Sequence, residues 1–295
     1  MVKQSKMPCH FGSLPGRWQH GHVWTSSAGR CALIDYVSTP SSLSAPLPAR
    51  SVLLIGDSTD RNKVNAICNH FGTPAMSYIE GLHLETQHGN SGYAACTLAR
   101  RVTVGQFMHY GVMDEPYFSY AYPVKPPLRN ESYAHLSQDA IRFRSRTPGG
   151  RDPTLIVLQS YAWDLAAECQ RGGSSVLLSG NVTDWVARVL RSVRHVRSIF
   201  PSSRVMWRTS HPYVGFCATP HLLNKMNEAV RDELPKHGVR LLEWNWMMNS
   251  SSAPHECRIQ ANALHLKQVS GLHVSDRCNL QYMNVVLNEL MRGGE

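Results

Sequence analysis

The chain of 295 residues is 42% hydrophobic and 17% charged, which supplies a sizeable core and excludes wholesale disorder. Its 30 Lys and Arg against 21 Asp and Glu leave a net charge of +9, a balance that favours anionic partners. No segment reaches the roughly 18 apolar residues of a bilayer-spanning helix, so no membrane span is expected within it.

Residues 1–30 mix Gly, Ser, His and Trp without a period, and residues 38–48 (STPSSLSAPLP) read as a Pro/Ser linker. The expected division is an N-terminal cysteine-containing segment with its linker over 1–50 and one larger domain over 51–295. Short apolar runs at 51–55, 102–108, 154–158, 204–208 and 239–243 read as strands. Helical stripes alternate with them. Residues 60–72 begin one, Trp185 to Phe200 form a second ended by Pro201, and Leu222 to Leu234 form a third behind Thr219-Pro220. Leu280 to Leu290 form the last, with Ser275 as its cap. This alternation predicts an α/β fold with a mostly parallel sheet covered on both faces.

Eight cysteines, at 9, 31, 68, 96, 169, 217, 257 and 278, lack zinc-ligand spacing and suit up to four disulfides in an oxidising compartment. Sequons at Asn130, Asn181 and Asn249 point the same way, to the secretory pathway, in the Golgi lumen or outside the cell. The opening MVKQSKMPCHFGSLPGRW has no signal-peptide-like apolar stretch, so the targeting segment is expected to lie outside this chain. The basic residues are scattered, with Arg100-Arg101 the sole adjacent pair, and no nucleic-acid recognition motif accompanies them. His83 and His88 lack matching metal ligands, and no metal is expected.

The stretch VLLIGDSTDRN, residues 52–62, carries the chemistry. A buried strand runs into Gly56, which permits a tight turn, and Ser58 falls at the start of a helix. Free N–H groups and the helix dipole favour negative charge there, as a developing oxyanion requires. Asp57 or Ser58 acting only as a helix cap explains a lone GDS equally well.

Further blocks extend the pattern. GDSTDRN followed by Cys68 resembles the first signature of the SGNH hydrolase superfamily, and more closely its PC-esterase and trichome birefringence-like branch. VLQSYAWDL (157–165), WRTSHP (207–212) and SGLH (270–273) are similar to that branch's later blocks, in the same order. GRW (16–18) and WTSSAGRCAL (24–33) resemble its cysteine-bearing N-terminal segment. The resemblance implies a three-layer, flavodoxin-like sandwich with an irregular disulfide-linked N-terminal segment, and a carbohydrate O-acetyltransferase or esterase. It implies Ser58 as nucleophile and His273 as base. It also implies an oxyanion hole from the Ser58 N–H, Gly111 (with Gly92 the weaker alternative) and Gln159, which stands where the family has asparagine. Arg61, Trp163 and Arg208 are candidate substrate contacts, as are Trp207 and His211, though packing explains these residues equally well. Cys68 is expected to be bonded, with Cys96 the candidate partner.

One block departs from the family: Ser270 replaces the aspartate that would orient His273. Ser270 itself, a backbone carbonyl, Asp276 folding back, or a shifted block at Asn262 and His265 are the alternatives for a working site. A silent glycan-binding protein is the alternative function. The expected partner is a polysaccharide or glycan, with the positive charge favouring an acidic one. No bound cofactor is expected, although a transferase needs an acyl donor such as acetyl-CoA or an acetylated carrier.

Overall fold

The run Val52-Leu53-Leu54-Ile55 is apolar at every position, and such a strand is stable only where both of its faces are covered. The computed structural model describes residues 16–19, 23–26, 33–44, 49–77, 94–109, 111–112, 141–170, 179–215, 218–250, 253, 257 and 272–292. In chain order the strands are β1 (Gly16–Gln19), β2 (Val23–Ser26), β3 (Arg50–Gly56), β4 (Met76–Ser77), β5 (Ala94–Leu98), β6 (Val102–Met108), β7 (Leu155–Leu158), β8 (Arg204–Arg208) and β9 (Arg240–Leu242). The helices are α1 (Ser58–His70), α2 (Ala162–Gln170), α3 (Ser179–Ile199), α4 (Pro220–Glu233), α5 (Trp244–Asn249) and α6 (Asp276–Arg292).

Seven strands form one sheet in the order β4-β5-β6-β3-β7-β8-β9. The five from β6 to β9 are parallel, whereas β5 and β4 add to the β6 edge antiparallel. Strand β3 lies at the centre, in register Ile55↔Phe107 with β6 and Ile55↔Leu158 with β7. Its alternate side chains enter two separate cores. Val52 and Leu54 join Val64 and Ile67 of α1 and Val286 of α6, while Leu53 and Ile55 join Leu165 of α2, Val189 of α3 and Met226 of α4. The result is the expected three-layer α/β sandwich. After β3 the chain builds to one side through β6, then to the other through β7, β8 and β9. In sheets of this kind such a reversal leaves a crevice at the carboxyl ends of the strands.

The N-terminal segment contains more order than its composition suggests. β1 and β2 pair as an antiparallel ribbon that sets Trp18 opposite Trp24, and the Trp18 indole N–H donates to the Met247 carbonyl at 2.7 Å. The stretch read as a linker includes a 3-10 turn, Pro40–Ser44, whose Leu43 is fully buried. The side chains of Asn284 and Asn288 on α6 accept from the Tyr36 and Ile34 backbone N–H groups, at 2.9 and 2.8 Å. One segment thus ties the beginning of the chain to its last helix.

The expected strands over 51–55, 102–108, 154–158, 204–208 and 239–243 are present, with ends shifted by a residue or so. Strands β4 and β5 carried no sequence signal. The hairpin between β5 and β6 turns through Ala99 and Arg100, both at positive φ (46° and 56°), without the Asn-Gly or Asp-Gly pair that usually marks such a turn.

A disulfide joins Cys68 near the end of α1 to Cys96 in β5, and a second joins Cys257 to Cys278 in the first turn of α6. No described cysteine is free. Each crosslink restricts the unfolded chain, so replacing Cys68 and Cys96 together by serine is expected to cost about 2–5 kcal/mol. Urea denaturation reads that loss, and an unchanged midpoint would show the bond to be dispensable.

Candidate functional site

The turn after β3 is built by close contact. A Cβ on Gly56 would collide with the Asp60 carboxylate and the Gln159 amide, so only glycine lets strand and helix meet there. Asp57 caps α1: its Oδ1 accepts from the Thr59 N–H at 2.9 Å and from the Thr59 hydroxyl at 2.6 Å. The capping role therefore belongs to Asp57, which leaves the next residue, Ser58, as the first of the helix. Ser58 is half-buried at the carboxyl edge of the sheet.

His273 arrives from the far end of the sequence. Its Nε2 lies 3.4 Å from Ser58 Oγ across 215 residues of chain. His211, itself buried, sits 3.1 Å through Nε2 from the Leu272 carbonyl and so anchors the segment that delivers His273. The Ser275 hydroxyl accepts from the Cys278 N–H, capping α6 immediately beyond. The other imidazole nitrogen, Nδ1, faces the Asn62 side-chain amide, 3.0 Å from Nδ2.

Gly111 and Gln159 lie beyond the ends of β6 and β7, the two strands that neighbour β3. His109 donates its backbone N–H to the Gly56 carbonyl at 2.7 Å as β6 ends, and the Gln159 N–H donates to the Ile55 carbonyl at 3.0 Å as β7 ends. Gly111 follows with φ of 102°, a conformation that favours glycine, and an added Cβ would meet Asp164 Oδ1. Asp164 Oδ1 accepts from the Val112 N–H at 2.7 Å, and its Oδ2 accepts from Ser160 and from Trp185 Nε1 at 2.6 and 2.8 Å. One carboxylate thus fixes the turn at 111–112. The Gln159 side chain is buried beside Asp57, whose carboxylate its amide helps to hold ionised.

Beneath this edge lies a buried charge cluster. Arg208 at the end of β8 pairs with Asp60 at 3.2 Å, both at most 2% exposed, and donates to Thr59 Oγ1 at 3.0 Å. Lys63 also pairs with Asp60 at 3.6 Å, lies 4.9 Å over the Tyr282 ring and donates to the Thr59 carbonyl. Burial alone would raise the Asp57 carboxyl, but Arg208, Thr59, Gln159 and Lys63 hold it below its ordinary value. Lys63 is pushed down to about 7 by burial and by Arg208, against the pull of Asp60 and Asp57. Burial pushes His109 down to about 4, so it is neutral. His273 also lies below its ordinary value, first through burial, then through Arg61 and Lys63, with Asp57 opposing.

The other candidate residues are spread between the interior and the surface. Arg208 is buried, and its guanidinium pairs with Asp60 and donates to Thr59 in the interior. Trp207 and His211 are buried too, Trp207 donating to the Tyr161 hydroxyl at 3.0 Å. Asp276 is exposed at the head of α6, and the group facing His273 Nδ1 is Asn62. Arg61 and Trp163 are half-buried on α1 and α2. Ser270, Gly92, Asn262, His265, His83, His88 and Asn130 lie outside the described residues, and Asn249 is exposed at the end of α5. Asn62 was absent from the residues singled out in sequence. Its signal was spacing: four residues after Ser58, on the same helix face.

Neither a family profile nor a curated protein sequence matches the chain. Some solved structures are similar to it in part. The acetylxylan esterase Axe2 from Geobacillus stearothermophilus aligns over 84% of this chain and 96% of its own, at 11% identity with a TM-score of 0.44. The periplasmic domain of a lipopolysaccharide acetyltransferase from Salmonella ser. Paratyphi A aligns over 88% and 89%, at 8% identity and 0.45. A family two carbohydrate esterase from Clostridium thermocellum, solved with cellohexaose, aligns over 83% and 65%, at 13% identity and 0.40. The chain thus spans about two thirds of that esterase's length.

The charges make two predictions. Arg61→Gln removes a positive charge that disfavours the imidazolium, so the His273 titration midpoint rises, as read by NMR; a fall or no change contradicts this assignment. Arg208→Met leaves Lys63 as the one described cation paired with Asp60 in the interior and is expected to cost about 3–5 kcal/mol in denaturant unfolding. A loss below 1 kcal/mol would show the pair to be incidental.

Proposed function

We propose that this chain is a carbohydrate O-acyl, specifically O-acetyl, esterase or transferase that works through an acyl-enzyme on Ser58. The observation that carries the reading is the 3.4 Å approach of His273 Nε2 to Ser58 Oγ. A serine hydroxyl is a weak nucleophile until a base takes its proton, and a histidine whose titration lies below its ordinary value is available as that base. The 3.4 Å separation is long for a hydrogen bond, as is common before substrate tightens a site.

Ser58 Oγ attacks the ester carbonyl carbon while its proton passes to His273 Nε2. The carbonyl oxygen becomes an oxyanion at the N-terminus of α1, where the Ser58 and Gly111 N–H groups and the Gln159 amide serve as donors. The Gln159 amide, buried at the end of β7 with donors of its own, supports this role. Collapse expels the sugar oxygen, which takes the proton from His273. Water or a second sugar hydroxyl then resolves the acyl-enzyme by the reverse steps, giving esterase or transferase outcomes.

The order of GDS, the WDL block and His273 supports the SGNH superfamily; the PC-esterase and trichome birefringence-like branch is the finer reading. Arg61 and Trp163 are the proposed substrate contacts, on a glycan whose acidity the +9 charge would favour. A transferase would draw on an acyl donor such as acetyl-CoA or an acetylated carrier. The two disulfides support a secretory or extracellular setting. One observation favours the rival reading of a silent glycan binder: an amide, not a carboxylate, faces Nδ1.

Hydrolysis of p-nitrophenyl acetate separates the two. The wild type is expected to turn over, and Ser58→Ala to lose at least about a thousandfold in kcat. Equal rates in both proteins would overturn the proposal.

A further inference from the structure

One face of one helix holds both ring nitrogens of His273. Ser58 and Asn62 stand four residues apart on α1, one turn along the same face. The imidazole bridges them, with Nε2 3.4 Å from Ser58 Oγ and Nδ1 3.0 Å from Asn62 Nδ2. A neutral imidazole has one N–H and one lone pair, so the group at Nδ1 decides what Nε2 can do. We infer that Asn62 is the positioning residue of this site, its side-chain amide selecting the tautomer of His273 and so deciding whether Ser58 can be deprotonated. The inference rests on the reading of Ser58 and His273 as nucleophile and base.

With the amide nitrogen toward the ring, Nδ2–H donates to the Nδ1 lone pair. The ring proton is then on Nε2, which donates to Ser58 Oγ and cannot receive its proton. A half-turn of the amide puts Oδ1 in the same place, because the two ends of the group are nearly isosteric. Oδ1 then accepts from Nδ1–H, and the Nε2 lone pair faces the hydroxyl. In acylation the Ser58 O–H bond breaks, its proton goes to Nε2, the Oγ–carbon bond forms, and the carbonyl π pair moves onto oxygen. The imidazolium keeps its Nδ1–H on Oδ1 throughout, and no reactant beyond the ester is needed.

An amide orients the ring without adding charge, as in Cys-His-Asn sites. Among the described residues, the charged groups that act on the ring are Asp57 from the strand–helix turn and Arg61 and Lys63 from α1. The Asp57 carboxylate is engaged as the helix cap and the Nδ1 position is taken by Asn62, so that neutral contact is the one that sets the tautomer.

The test uses the full chain carrying 15N-histidine, with His273 assigned by its loss in His273→Gln, and follows the ring shifts across pH. In the wild type the neutral ring is expected to favour one tautomer more strongly than free histidine does. Asn62→Ala returns it to the free mixture and lowers kcat on the acetate ester about ten- to a hundredfold with KM unchanged. Asn62→Asp puts a carboxylate at Nδ1, raises the titration midpoint by about 1–3 pH units, moves the acid limb of kcat/KM by the same amount, and restores kcat. Tautomer, midpoint and pH profile unchanged in both variants would overturn the inference. A wild type without ester turnover would count against the proposed function alone, because the ring shifts report the hold of Asn62 on His273 without substrate.

Discussion

The structure turns on the buried pairing of Arg208 with Asp60. Two charges at most 2% exposed are stable in an interior only while each satisfies the other, so neither α1 nor the end of β8 can rotate or slide without breaking the pair. Lys63, Thr59 and the Tyr282 ring close the cluster around it. The pairing fixes which face of α1 turns inward. It therefore also fixes which face turns outward, and that outward face carries Ser58 and Asn62. The cluster is a structural brace whose consequence is chemical: it aims the edge of the helix at which His273 arrives.

A second constraint delivers His273. Among the described residues its surroundings are held by His211 on the Leu272 carbonyl, by the cap on α6 and by the Cys257–Cys278 bond. The helix beyond is tied in turn to residues 34–36 near the start of the chain. Contacts between residues more than two hundred positions apart thus converge on one imidazole. Such a site is sensitive to changes that touch neither reacting atom.

The layers were legible in sequence because the apolar runs at 51–55 and 154–158 and the helical stripes of α3, α4 and α6 have strong, simple periods. The antiparallel edge was not, since β5 is short and its hairpin turns on Ala99 and Arg100 without glycine. At the site, Ser58 and His273 were legible through motifs near a strand end and near the C-terminus. The burial of Arg208 was not legible, because an arginine in a short motif does not announce whether its charge is answered from within. Asn62 was missed for a related reason. The candidate partners of the imidazole lay in its own C-terminal part of the chain, whereas the contact is a neutral amide one helical turn from the serine. Among the described residues a neutral amide, not a carboxylate, faces Nδ1.

The central claim is that Ser58 is made nucleophilic by His273, and covalent labelling with a fluorophosphonate tests it without any assumption about the natural ester. The account predicts a single adduct, mapped by peptide mass analysis to Ser58, whose rate of formation collapses in His273→Ala. An adduct at another residue, or labelling of Ser58 at the same rate without the imidazole, would contradict it.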